Sequence, residues 1–373
     1  MTTTDRRNWL RTVALGGGFA LLGGAPQLVH GASRTENPAI SARGPIRLSS
    51  NENPLGPSER VRRALSERMD LGCRYPYSYM GPLVSAIAAR EEVPESCVVL
   101  TGGSTEGLKA AGLVYGLNNG EIIAADPTFQ ALLRYAELFG AYIHRVPLDD
   151  KLVHDLDAME RRVTSKTRLI FLCNPNNPSG TILDGNTLRD FCTSVDSRAV
   201  VFSDEAYFDY ITEPDYPSMV ELVREGRNVI VSRTFSKVYG LAGFRIGYLV
   251  ARPDIASRLR EALMAHTGTP ALIAAEAALG DDDFYKESLK QNEMAKKSIY
   301  ATLEDLGLPA VKSHTNFVFF KSGMDIRTLQ SRMESEGVLI GRPFPPLYDW
   351  ARISTGRMEE VAAFGNALKK VMG

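Results

Sequence analysis

The sequence predicts an α/β fold in which helices sandwich a mostly parallel sheet to form a large domain, followed by a smaller α+β domain. Three observations carry that prediction. Between about residues 51 and 252, short apolar runs alternate with one-faced helical patterns, as strands joined by helical crossovers do. Polar clusters follow directly on those runs, where open parallel sheets hold their ligands. Beyond Pro253 the pattern changes to long helices interrupted by a few short strands.

Strands are expected at Val98 to Thr101, Glu121 to Ala125, Leu169 to Cys173, Ala199 to Ser203, Val229 to Arg233 and Arg245 to Val250. Helices with one apolar face, such as Glu106 to Leu117 and Thr187 to Val195, fall between them. The smaller domain, 253–373, is read as a long helix from Phe284 to Leu306, a strand Phe317 to Phe320 and a helix Ile326 to Glu336. Strands Val338 to Ile340 and Arg352 to Ser354 and a closing helix from Met358 complete it.

At 373 residues the chain exceeds what one core usually fills, which favours two domains. With 44% hydrophobic and 23% charged residues it is not compositionally disordered. Lysines and arginines (43) nearly balance aspartates and glutamates (44), so nothing marks nucleic acid or an anionic membrane as the partner, and a small molecule is expected. Cys73, Cys97, Cys173 and Cys192 show neither a CxxC pair nor metal-ligand spacing and are read as buried thiols.

Residues 1–32 differ from the rest. Arg6-Arg7-Asn8-Trp9-Leu10-Arg11 precedes an acid-free apolar stretch from Thr12 to Leu22, a signal-peptide pattern. The paired arginines resemble a twin-arginine export signal, which implies the twin-arginine export machinery as a partner and a periplasmic or other extracytoplasmic location. The alternative is a basic, apolar extension that never engages that machinery and leaves the protein in the cytoplasm. A linker or N-terminal arm, 33–50, leads into the large domain.

Six segments occur in a telling order: Asn51-Glu52-Asn53-Pro54, Tyr75-Pro76, Cys173 to Gly180, Asp204 to Tyr207, Ser232 to Gly247 and Arg352 to Gly356. Together they resemble the fold-type I aminotransferases that depend on pyridoxal phosphate (PLP), most closely the histidinol-phosphate aminotransferase-like branch. The resemblance implies that Lys237 forms the Schiff base with PLP and shuttles the substrate α-proton, a task for an amine that can be neutral. It assigns Asp204 to the pyridinium nitrogen, Tyr207 and Asn177 to the phenolic oxygen, and Phe129 to stacking on the ring. A cis bond between Asn177 and Pro178 also belongs to the pattern.

Phosphate needs amides and a cation. Gly103, Ser104 and Thr105 open a helix, as anion sites do, and Thr234, Ser236 and Arg245 match the remaining phosphate ligands. Gly-Gly-Ser-Thr-Glu here replaces the more familiar Gly-Asn/Ala-Asp-Glu. Arg352 matches the arginine that grips the substrate carboxylate, and Asn53 is placed with it on the substrate side. Arg342 lies near the arginine that holds the substrate phosphate in histidinol-phosphate enzymes, although Pro343, Phe344, Pro345, Pro346 and Leu347 make its neighbourhood apolar. By the same resemblance the protein is a homodimer in which Tyr75 of one subunit reaches the cofactor phosphate of the other.

The expected reaction moves an amino group between an amino acid, or a histidinol-phosphate-like amine, and a 2-oxo acid. A related PLP-dependent decarboxylase would share Lys237, Asp204 and Arg245. A non-catalytic exported binding protein would have no use for all three.

Overall fold

In the computed structural model, which describes residues 44–373, the chain enters as β1 (Ile46–Arg47). The expected export signal and the linker up to residue 43 lie outside the described residues. Seven strands then form one sheet: β2 (Val98–Thr101), β3 (Glu121–Asp126), β4 (Tyr142–Pro147), β5 (Thr167–Cys173), β6 (Val200–Asp204), β7 (Val229–Thr234) and β8 (Gly247–Ala251). Their order is β2-β8-β7-β6-β5-β3-β4. Only β8 runs against its neighbours; the pairs from β7 through β4 are parallel.

Successive strand residues point to opposite faces, and each face is covered by helices. Ile170, Leu172, Val201 and Val231 enter one apolar cluster, whereas Leu169, Phe171, Phe202 and Ile230 enter the other. This two-sided burial is what makes the strands continuous apolar runs in the sequence. Strand β4 lacks that signature because it is an edge strand whose residues are mostly half-exposed, and its His144 and Arg145 interrupt the run. The strand expected from Arg245 begins instead at Gly247, because Arg245 takes the left-handed conformation (φ 55°) that turns the chain into it.

Helices Pro253–Glu261 and Thr269–Leu279 pack onto the sheet clusters. A third cluster unites Leu48 with apolar residues from Ala295 onward. It is built on the helix Asp282–Asp305, β9 (Phe317–Lys321), β10 (Val338–Leu339), β11 (Trp350–Ser354) and the helices Ile326–Ser335 and Met358–Met372. The long helix starts where the Asp281 side chain accepts from Phe284 N, and presents Ala295, Ile299 and Leu303 at four-residue spacing. Strand β1 pairs in parallel with β10, and β9 pairs antiparallel with β11.

Two consequences position the site. Register sets Cys173 beside Asp204 and Asp204 beside Ser232, so β5, β6 and β7 end together. Facing those ends, β11 carries Arg352 and Ser354, two residues apart and therefore on one face. Cys97, Cys173 and Cys192 are buried as expected, whereas Cys73 is exposed; all four are free thiols.

Candidate active site

A cavity of about 370 Å³ opens where the strand ends meet β11. Twelve of the residues singled out in the sequence line it: Ser104, Thr105, Phe129, Asn177, Asp204, Tyr207, Thr234, Ser236, Lys237, Arg245, Arg342 and Arg352.

Asp204 ends β6 and is 2% exposed, and its Oδ1 has no hydrogen-bond partner among the described residues. Burial pushes its carboxyl up to about 7. An unpaired buried carboxylate oxygen is costly, so the site is built for a ligand that brings a donor or a positive charge. Lys237 follows β7 by three residues, and its Nζ donates to Asn51 O at 2.9 Å. Burial, aided by the Arg352 guanidinium, draws its amine down to about 8, within reach of the neutral form at physiological pH.

The Tyr207 hydroxyl accepts from Asn51 Nδ2 at 3.0 Å and from Asn177 Nδ2 at 3.4 Å. Its ring meets Phe317 edge-on at 5.3 Å, and burial raises the phenol to about 12. Asn177 also accepts from Arg352 Nη1 at 2.6 Å, so its amide bridges the guanidinium and the phenol. The cis peptide of this loop is Asn174-Pro175; the expected cis bond at Asn177-Pro178 is not found.

Arg352 is buried, with Nη2 donating to Ser49 O at 2.9 Å and Nε without a partner among the described residues. Its guanidinium lies 4.9 Å from the Phe344 ring centroid and 5.3 Å from that of Phe317. Among the described residues it makes no ion pair, and burial lowers its pKa to about 10. A buried cation with other cations near it and no carboxylate paired to it among the described residues calls for an anionic ligand.

A second cluster suited to an anion lies at the opening of the helix Ser104–Gly116. Gly103 caps it at φ 80°, and a Cβ there would fall 2.5 Å from Arg245 Nη2, so only glycine brings the guanidinium against the helix N-terminus. Arg245 Nη1 donates to Ala242 O at 2.7 Å and to Ser236 Oγ at 3.4 Å, while Thr234 Oγ1 accepts from Ser236 N at 3.1 Å.

Two expected residues stand apart, and a third reaches only the rim. Asn53 does not line the cavity: its Nδ2 donates to Val238 O and Ser288 Oγ, so its amide ties the loop to the neighbouring elements. Tyr75 is 81% exposed, stacked on Tyr77 and outside the cavity of its own chain. Arg342 reaches the rim but is exposed, with Nη1 on Pro343 O and its guanidinium 4.4 Å from the Phe344 ring centroid. Ser50, Asn51, Glu52, Cys173, Ala206 and Ala242 also line the cavity without having been chosen. Asn51 was within sight in the Asn-Glu-Asn-Pro segment, and asparagine's tolerance of left-handed backbone was the available signal.

Residues 43–368 match the model of the family aminotransferase class I and II. Histidinol-phosphate aminotransferase from Moorella thermoacetica is 38% identical over 332 residues, covering 88% of this chain and 85% of that protein. Histidinol-phosphate aminotransferase 1 from Bacillus cereus is 35% identical, covering 88% and 89%. The crystal structure of histidinol-phosphate aminotransferase from Sinorhizobium meliloti in complex with pyridoxal-5'-phosphate is 26% identical, with a TM-score of 0.83 over 88% of this chain and 91% of that one.

Proposed function

The chain belongs to the class I and II aminotransferases and is a PLP-dependent transaminase, and from that premise we propose which residues act and what they act on. The residues fit the cofactor. Asp204 Oδ1, buried and unpartnered, suits a protonated pyridine nitrogen, and the Gly103–Arg245 corner suits a phosphate. Phe129 would supply an aromatic face, and Tyr207 and Asn177 polar partners.

When bound, PLP supplies the electron sink that stabilises the carbanion left by loss of the α-proton. Lys237 Nζ takes that proton and later releases it; burial keeps the amine close to its neutral form. Asp204 would stabilise a positive charge on the ring nitrogen of the bound cofactor. Arg352 binds the donor's anionic group with its planar fork, and the wall of Phe317 and Phe344 excludes water from that contact. Because donor and 2-oxo acid take turns in one site, Arg352 serves both.

The donor is read as an anion with an aromatic or apolar body, and histidinol phosphate is the first candidate. The observation that carries this is the pair Arg342 and Arg352 against the single Phe344 ring, two cations at different depths of one cavity. A donor panel of histidinol phosphate, aromatic amino acids and glutamate tests it. Highest kcat/KM for histidinol phosphate is expected; highest kcat/KM for glutamate contradicts the reading.

The active form is read as a homodimer, supported by an apolar surface at Met69, Tyr75, Tyr77 and Met264 in which each residue is at least 60% exposed. Tyr75 of one subunit would complete the other's phosphate site, and a fully active monomer in solution would contradict this. The Arg6-Arg7 segment supports export of the folded, cofactor-loaded protein to the periplasm. Replacing both arginines by lysine should hold active protein in the cytoplasm; a wild-type protein found wholly cytoplasmic with residues 1–32 intact would contradict export.

A further inference from the structure

Asn51 touches both groups on which the proposed reaction turns. It is 2% exposed and left-handed (φ 55°), a backbone state that asparagine tolerates better than most residues. Its carbonyl accepts from Lys237 Nζ at 2.9 Å and from Asn316 Nδ2 at 3.0 Å. Its own N–H donates to Ser354 Oγ at 2.8 Å, and that hydroxyl donates back to Asn51 Oδ1 at 2.8 Å. The loop through Ser354 leaves Nδ2 facing Tyr207, 3.0 Å from the phenolic oxygen.

The count of donors decides what Tyr207 can do. Its oxygen accepts from Asn51 and, at a longer 3.4 Å, from Asn177, which occupies both acceptor positions and leaves the hydroxyl hydrogen free to point into the cavity. Ser354 sits two residues beyond Arg352 on β11, so the strand that carries the anion-binding guanidinium also fixes Asn51. We propose that Asn51 is a positioning residue: its left-handed main chain seats the Lys237 amine, and its amide makes the Tyr207 hydroxyl a hydrogen donor aimed into the cavity. The proposal rests on Lys237 and Tyr207 being the cofactor-holding groups.

Two variants separate the parts. Asn51→Gly keeps the left-handed main chain and its carbonyl but deletes the amide. Asn51→Asp keeps the shape, turns the donor into an acceptor that captures the phenol hydrogen, and sets a negative charge beside Lys237 Nζ. In cofactor-free protein, Lys237 labelling by an amine-selective acylating reagent is followed against pH by peptide mass spectrometry. The midpoint should rise by about one unit in Asn51→Asp, as a nearby carboxylate favours the charged amine, and stay in place in Asn51→Gly. In the loaded enzyme, the pH midpoint of the bound cofactor's visible absorbance should rise in Asn51→Asp. Its kcat should fall about tenfold while KM for the 2-oxo acid changes less than about threefold.

Parental profiles in Asn51→Asp overturn the proposal, and so does a lowered melting temperature accompanied by parental profiles, since Asn51 would then be merely structural. A labelling midpoint that moves as far in Asn51→Gly as in Asn51→Asp overturns the main-chain seat. Lys237→Ala, run alongside, keeps the two failures distinguishable. If it retains turnover, the reading of the active site falls, while the labelling profiles of the Asn51 variants, which retain Lys237, still report on the seat.

Discussion

The floor of the cavity and its rim are built differently. The floor, where β5, β6 and β7 end, consists of buried side chains set by strand register: Asp204, Tyr207, Thr234 and Ser236 are each less than 9% exposed. The rim is exposed, with Arg342 on the segment after β10. Rigid strands fix chemistry that tolerates little displacement, while loops carry what differs between substrates. Changes in the floor should therefore abolish the reaction, and changes at the rim should redirect it.

Lys237→Ala sharpens that contrast most. Turnover should fall roughly 10³-fold or more with the fold intact, because only the amine proposed to move the proton is lost. Steady-state rates beside circular dichroism check this, and near-parental turnover would remove Lys237 from its role.

Asp204→Asn comes next, with a loss of about 10²-fold in kcat and an opposite effect on stability. A carboxyl raised from 3.8 to about 7 in the native state binds more protons there than in the unfolded chain. Stability of the cofactor-free protein therefore declines as pH rises through that interval, and the penalty stands in full above it. At pH 8 the cofactor-free variant should melt higher than its parent by roughly 5 °C. Equal melting temperatures would mean that the carboxylate carries no burial penalty.

Arg352→Lys keeps the charge but loses the planar fork, so kcat/KM should fall roughly 10- to 100-fold for donor and 2-oxo acid alike. An effect confined to one substrate would break the claim that both share Arg352. The smallest effect belongs to the rim: Arg342→Ala should lower kcat/KM a few-fold, about 1 kcal/mol, for a phosphate-bearing donor such as histidinol phosphate, and leave donors without a phosphate unchanged. Equal losses for all donors would place Arg342 in the floor rather than at the rim.

The same division decided what the sequence disclosed. Strands buried on both faces wrote themselves as apolar runs, and the polar residues closing those runs, from Asp204 to Lys237, are the floor of the site. Edge strand β4 left no such run because only β3 covers it. Within the Asn51 to Pro54 segment, spacing could not separate the two asparagines. Only the left-handed turn at Asn51 sends one amide to Tyr207 and the other to Val238 and Ser288. The bridge from Arg352 through Asn177 to Tyr207 was likewise hidden, since it joins groups 175 and 30 residues apart.

The central claim is that this floor performs the first half of a transamination, and a single-turnover half-reaction tests it most directly. PLP-loaded protein is mixed with each donor in the absence of 2-oxo acid, and the products are quenched and separated. One equivalent of pyridoxamine phosphate and one of the donor's carbonyl product per site is the predicted result, absent in Lys237→Ala. Release of CO2 with PLP regenerated, or no conversion of the cofactor by any donor of the panel, would contradict it.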